Sequence, residues 1–196
     1  FTSEMRLFIF GCLSSVALCR TARRGATMEQ ERPNEAEEGL TAADLEYRPW
    51  QRGDARYGRP FEPPDPDRLF VAADPKAASG YNVVGRVESE LEFTDENNPK
   101  FAAAFPHAAI VHISYVWVHA AWRSKGVAST MLPKALEDIR SSLPDVVAVY
   151  LEVDPTDEAA LRLYLRCNFT FFYHDGDDYD EEDATLLYQF RPRDVQ

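Results

Sequence analysis

Between Tyr115 and Leu132 the chain reads Y-V-W-V-H-A-A-W-R-S-K-G-V-A-S-T-M-L, and this stretch limits the folds open to it. Aromatic and β-branched residues dominate its first part, and a run of that kind favours a strand. A short basic turn with one glycine follows. Val127, Ala128, Met131, Leu132, Ala135, Leu136 and Ile139 then recur at helical spacing, which predicts a helix with one apolar face. A strand that runs through a tight turn into such a helix needs a sheet for the helix to cover. The fold class expected is therefore α/β (α+β), with helices packed on a mixed sheet.

The turn Arg123–Ser129, R-S-K-G-V-A-S, also has a chemical reading. A helix begins with unpaired N–H groups and about half a positive charge. Gly126 and Ala128 leave the backbone open to a ligand, and Arg123 and Lys125 add charge. These features suit a pyrophosphate. The spacing excludes a Walker loop, and no G-x-G-x-x-G marks a dinucleotide fold.

The remaining segments extend the sheet. Leu45 to Trp50 reads as a first strand, placed at an edge by Pro49. Four prolines between Gln51 and Arg68 leave no room for a long helix. Leu69 to Ala73 and Tyr81 to Phe93 read as a hairpin. In its second arm Val83, Gly85, Val87, Ser89 and Leu91 share one face, while Arg86, Glu88, Glu90 and Glu92 share the other, which is expected to be wet. Thr94 to His107 reads as a loop with a helical turn. Ala109 to Val118 is expected to be a central strand, and Pro133 is expected to kink the helix after it. Val146 to Val153 reads as a buried strand. Thr156 or Asp157 can cap a helix reaching about Cys167, which is itself read as a packing residue. Phe169 to Tyr173 and Ala184 to Phe190 are expected to close the sheet as a pair around an acidic loop.

Two blocks together resemble the GNAT superfamily of acetyl-CoA-dependent N-acetyltransferases. Val118 to Ala128 is similar to the family signature R/Q-x-x-G-x-G/A after a strand end, with Ala120 in place of a frequent proline. Leu151 to Tyr164, L-E-V-D-P-T-D-E-A-A-L-R-L-Y, is similar to L-E-V-x-x-x-N-x-x-A-x-x-L-Y, and Cys167-Asn168-Phe169 stands where x-G-F is usual. Asn168 can take the left-handed conformation of that glycine. Within the superfamily the motifs are nearest to ribosomal-protein alanine and N-terminal protein acetyltransferases. The resemblance implies an N-acetyltransferase domain over residues 43–192, with acetyl-CoA as co-substrate and a mostly antiparallel twisted sheet. The family's first helix pair is reduced to the short proline-rich segment before Arg68.

It also implies site residues. Backbone groups of Val116, Trp117 and Val118 would meet the acetyl-pantetheine arm. Arg123, Ser124, Lys125, Gly126, Val127, Ala128 and Ser129 would hold the pyrophosphate. Asp157, where the family usually has Asn, would also face the cofactor. Tyr164 matches the tyrosine that protonates the leaving sulfur, and an ordinary phenol is protonated at neutral pH. Glu152 matches a glutamate that serves as base; His112, Ser114, Tyr115 and His119 are alternatives that would position a water. Tyr173, Tyr179, Glu182 and Asp183 resemble residues bordering the acceptor groove.

The implied acceptor is a cationic amine, and a peptide or protein α-amine is favoured. At pH 7 about one α-amine in ten is neutral, against about one lysine in a few thousand. Acetyl transfer to lysine or to a small cationic amine is the first alternative, and a non-catalytic CoA-binding module is the second. The net charge of −12 speaks against a nucleic-acid partner, which needs a basic face. The three cysteines, Cys12, Cys19 and Cys167, form no disulfide framework or metal-ligand pair, so no metal is expected. Residues 1–28 hold an apolar run too short to span a bilayer comfortably, flanked by basic residues. They read as a signal or transit peptide, or as translated upstream sequence. Residues 29–42 read as a disordered acidic linker. A cytoplasmic monomer or homodimer is expected, with an organelle or the secretory pathway as the destination if residues 1–28 act as a leader.

Overall fold

The computed structural model describes residues 41–56, 59–60, 68–77, 80–95, 99–173 and 184–190. Among the described residues, nine strands and three α-helices form in the order β1 (Glu46–Pro49), β2 (Ala55–Arg56), β3 (Arg59–Pro60), β4 (Leu69–Ala73), β5 (Val83–Phe93), α1 (Pro99–Ala104), β6 (Ala109–Val118), α2 (Val127–Ser142), β7 (Val146–Val153), α3 (Glu158–Arg166), β8 (Thr170–Tyr173) and β9 (Ala184–Gln189). Seven strands make one sheet in the order β1-β4-β5-β6-β7-β9-β8, while β2 and β3 pair separately. Every neighbouring pair in the large sheet is antiparallel except β6 and β7. Parallel neighbours need a crossover, and α2 supplies it.

The elements follow the expected order, with β1 at an edge and β6 at the centre. Among the described residues, the proline-rich segment before Arg68 contributes the two-residue strands β2 and β3 and no α-helix. One difference concerns a boundary. Thr41 and Ala42, assigned to the linker by composition, belong to the fold. Thr41 caps a short 3-10 turn over Ala42–Asp44 through a reciprocal capping box, and Ala42 joins the main core. The final strands close the sheet as the expected pair, with β9 beside β7 and β8 at the edge.

The main core lies on the face that carries α2. Val127, Met131, Leu132, Ala135, Leu136 and Ile139 from α2 pack there against Phe70, Ala72, Val84, Val87, Val111, Ile113, Val149 and Leu151. Pro133 is exposed on α2, and the helix continues through it to Ser142. A Cβ on Gly85 would stand 3.3 Å from the Met131 sulfur, so the absence of a side chain there lets α2 approach the sheet closely. α3 joins the same cluster through Ala160, Leu161, Leu163 and Tyr164. Cys167 is buried and free, as a packing residue.

The expected facing of β5 needs correction at two points. A bulge shifts the β4–β5 register, so that Ala72 opposes Gly85 but Ala73 opposes Val83. The extra residue, Val84, reverses the alternation. Val83 consequently leaves the face of Gly85 and Val87 and packs with Leu69, Val71 and Ala73 on the opposite face. That face is also drier than its charges suggest. The Arg86 and Glu88 side chains are 13% and 32% exposed and form a 2.9 Å ion pair. Opposite charges two residues apart on one strand satisfy each other there, which permits partial burial.

Candidate active site

The site begins where β6 and β7 separate. Their pairing runs from Ala109–Val146 to His112–Tyr150 and stops. β6 continues beside β5 as far as Val118 opposite Gly85, and β7 continues beside β9 as far as Val153 opposite Ala184. Among the described residues, β6 and β7 are not paired beyond His112 and Tyr150. A bulge accompanies the separation: Glu88 opposes Tyr115 while Ser89 opposes Ile113, so Ser114 is the extra residue. It restores Tyr115 and Trp117 to the face that His112 occupies. The Arg86 guanidinium lies 4.9 Å from the Tyr115 ring centre on that face.

The basic turn leads from β6 into α2. His119 caps a 3-10 turn over Ala120–Trp122, its Nδ1 accepting from the Ala121 N–H at 3.2 Å. That nitrogen is thus engaged in backbone capping. Trp122 is buried and anchors the turn. Lys125 Nζ lies 5.3 Å from its ring centre, a cation–π distance. Arg123 Nε donates to the Val118 carbonyl at 3.1 Å, so the guanidinium ties the turn to the strand end. Ser124 and Gly126 both have left-handed backbones, at φ 60° and 82°. Glycine takes that conformation without the strain of a Cβ. Gly126 is the N-cap of α2 and offers no side-chain cap. The first N–H groups of α2 accordingly stand open at an exposed turn, with Ser129 Oγ bonded to the Gly126 carbonyl at 2.9 Å.

Tyr164 and Glu152 lie on opposite sides of the sheet. Tyr164, on α3, packs on the α2 side in an edge-to-face contact with Phe169, ring centres 6.0 Å apart. Burial, reinforced by the charge of Asp157 and by Cys167, pushes its phenol up to about 12. Glu152 alternates with the core residues Leu151 and Val153, which turns it to the other face, where it is exposed. Strand geometry alone accounts for this split, since successive side chains point to opposite faces.

Asp157 caps α3, its Oδ1 accepting from the Ala160 N–H at 2.9 Å, which decides between the two expected caps. Thr156 instead bonds back to the Asp154 carboxylate. Asn168 has φ 65°, the left-handed helix end expected of it. Tyr173 ends β8 opposite Thr185. Tyr179, Glu182 and Asp183 lie outside the described residues.

Two residues that the sequence reading passed over belong beside the gap. The Tyr150 hydroxyl donates to Glu92 Oε2 at 2.9 Å, across 58 residues of chain. The His112 ring stacks on Tyr150, centres 4.6 Å apart and planes at 11°. Desolvation, followed by the charges of Glu92, Glu152 and Glu90, drives the Tyr150 phenol well above its ordinary range. The spacing of Tyr150 to Glu152, two residues on one strand, was a usable signal that the two share a face.

Residues 34–169 match the model of the acetyltransferase (GNAT) family. Among solved structures, the chain is similar to the Arabidopsis thaliana NAA60 in complex with acetyl-CoA. The TM-score is 0.51 at 18% identity, over 62% of this chain and 76% of that one. It is also similar to the NatC complex bound to Gag peptide and CoA, with a TM-score of 0.50 at 18% identity, over 64% of this chain and 73% of that one. At these identities the likeness shows the fold. No curated protein matches the chain.

Proposed function

The chain belongs to the acetyltransferase (GNAT) family, and on that premise we propose that it transfers acetyl from acetyl-CoA directly to the α-amine of a peptide or protein. The observation that carries this reading is the gap between β6 and β7, with an uncapped helix N-terminus at one end and ionisable groups on both faces. The residues fit the co-substrate. The open N–H groups at Val127, Ala128 and Ser129, with Arg123, Ser124, Lys125 and Gly126 around them, suit a pyrophosphate. The β6 backbone from Val116 to Val118, beyond the end of the β6–β7 pairing, suits the amides of a pantetheine arm.

Direct transfer needs a proton donor for the leaving sulfur and an acceptor for the amine proton. The two-faced arrangement keeps these apart. Tyr164 on the α2 side stays protonated because burial raises its phenol, and it is the acid of this scheme. The amine approaches from the other face, where Glu152 and His112 are both able to take its proton. The exposed Glu152 also attracts a cationic acceptor. Support for a peptide α-amine comes from the motif resemblance and from the neighbours, one of which is bound to a peptide. The sequence before Ala184 is acidic, the sign of charge that attracts such a substrate.

The test is incubation with acetyl-CoA and a mixed pool of α-free peptides, α-blocked lysine peptides and polyamines, followed by mass spectrometry. Acetyl on α-amines alone is expected; acetyl confined to lysine or polyamine moves the acceptor assignment. In Tyr164→Phe, turnover should fall on the order of 100-fold with acetyl-CoA affinity kept, and unchanged turnover removes Tyr164 as the acid.

A further inference from the structure

Glu92, Tyr150 and His112 form a contact set on the face opposite α2. Tyr150 is the hub: its hydroxyl holds Glu92 Oε2 at 2.9 Å, and its ring carries the stacked His112 imidazole. The other carboxylate oxygen, Glu92 Oε1, lies 3.9 Å from His112 Nδ1. Phe101 from α1 packs on the Tyr150 ring with centres 4.4 Å apart, and Phe172 stacks on Phe101 at 5.0 Å. The hub is therefore buried and braced, whereas the His112 side chain keeps 22% of its exposure. His112 and Tyr150 are also the last paired residues before the gap opens. A solvent-reachable imidazole is thus fixed beside the place where the transferred group has to lie.

We propose that His112 takes the proton from the acceptor amine, and that Tyr150 and Glu92 are positioning residues that aim it. The proposal rests on the acetyl-transfer reading above. The amine nitrogen attacks the thioester carbonyl carbon; the C–N bond forms and the C–S bond breaks. The N–H proton passes to His112 Nε2, and Tyr164 gives its phenolic proton to the departing sulfur. The imidazolium then loses a proton to solvent and the tyrosinate regains one. The carboxylate of Glu92 faces Nδ1, which favours the tautomer with the proton on that nitrogen and leaves the Nε2 lone pair available. An ordinary imidazole, near ~6.5, is closer to an α-amine near ~8 than an ordinary glutamate near ~4.3, and a base works best when matched to its task.

The charged groups on this side are Glu90, directly opposite His112 on β5, Glu92 and the Arg86–Glu88 ion pair on β5, and Glu152 on β7. In this scheme Glu152 attracts the cationic amine and His112 receives its proton.

The test is the pH profile of kcat/KM for an α-free peptide that the wild type acetylates, measured alongside the thermal midpoint of each variant. His112→Gln should lower kcat/KM on the order of 100-fold and abolish the acidic limb. Glu92→Gln keeps an acceptor for the Tyr150 hydroxyl but removes the carboxylate that faces Nδ1, so kcat should fall several-fold with the thermal midpoint kept. Tyr150→Phe keeps the stack and frees Glu92. Its kcat should fall about tenfold with the KM for the amine unchanged, because a mispositioned base weakens the chemical step and not binding. Glu152→Gln should raise the KM for the amine and keep the limb. A limb that survives in His112→Gln, or disappears in Glu152→Gln, overturns the proposal while leaving acetyl transfer intact. Imidazole nitrogen shifts of His112 read the tautomer without turnover; a proton on Nε2 in the wild type also overturns it. If the wild type acetylates no amine in the pool, the acetyl-transfer reading falls and takes this proposal with it.

Discussion

On the α2 side of the sheet, β6 presents Val111, Ile113, Val116 and Val118 to one continuous apolar cluster. On the other side the same strand presents His112, Tyr115 and Trp117, beside Glu90, Glu92 and the Arg86–Glu88 pair of β5. Along β6 from His112 to Val118 the two faces are stabilised by different physics. Apolar burial depends on area and has no direction. Partly buried charges are tolerated only where partners stand at defined distances. One face can therefore absorb small changes by repacking, whereas the other loses its geometry when a single partner is removed. A transfer site at the junction has a rigid wall behind it and oriented polar groups in front.

The sharpest way to break this comparison is to cut into each face. Leu132 is fully buried between α2 and the sheet, and Leu132→Ala should cost about 2–5 kcal/mol. Phe93, equally apolar but 65% exposed at the end of β5, should cost within about 0.5 kcal/mol as Ala. Urea midpoints of the two variants check the contrast. Equal losses would mean that the α2 cluster is not the dominant core.

A second cut tests the polar mode of stabilisation near β1. Asp54 is 4% exposed and accepts from Arg48 at 2.7 and 2.9 Å, from the Gln51 N–H at 2.8 Å and from Asn82 at 2.7 Å. Burial alone would raise its carboxyl, but the bonds from Arg48, Gln51 and Asn82 outweigh it and hold the group below its ordinary value. The unfolded chain then binds the proton more readily than the folded one. The stabilisation is present above the ordinary carboxylate range and is lost as pH falls through the depressed folded value. Asp54→Asn should cost about 1.5–3 kcal/mol at neutral pH, the worth of hydrogen bonds to a charged group. The gap between wild type and variant should narrow as the pH is lowered through the range below about 4. A gap that is constant with pH would assign the loss to packing.

The contrast between the faces also explains what was readable beforehand. β6 and β7 emerged from dense runs of Val, Ile and aromatic residues, and α2 from seven apolar positions at helical spacing, because burial leaves a periodic imprint on a single segment. The left-handed end at Asn168 was legible for a similar local reason. The bulges at Val84 and Ser114 were not. A bulge is a mismatch between two strands, and neither strand carries the count alone. Val83 was accordingly assigned to the wrong face. The Glu92–Tyr150 bond joins residues far apart in the chain, and its only precursor was an alternating acidic stripe that looked like a wet surface. The face built from periodic burial could be anticipated, whereas the face built from pairwise geometry needed the structure.

The smallest expected effect lies at the boundary between folding and ligand binding, at Asp157. Its side chain caps α3, and the motif resemblance also places it near the co-substrate, where Asn is usual. Two substitutions separate these roles. Asp157→Ala removes the cap and should cost about 1 kcal/mol. Asp157→Asn retains a side-chain oxygen of the same reach, and Asn caps as well as Asp, so stability should stay within about 0.5 kcal/mol. If the carboxylate opposes the negatively charged co-substrate, Asn should lower the KM for acetyl-CoA at unchanged stability, because a like charge is removed. An unchanged KM in Asp157→Asn, with the expected loss of stability in Asp157→Ala, would place the residue wholly on the folding side. The position of Tyr164 seven residues along α3 would then be what the cap secures: a fixed first turn sets the rotation of the helix, and with it the direction in which the phenol points.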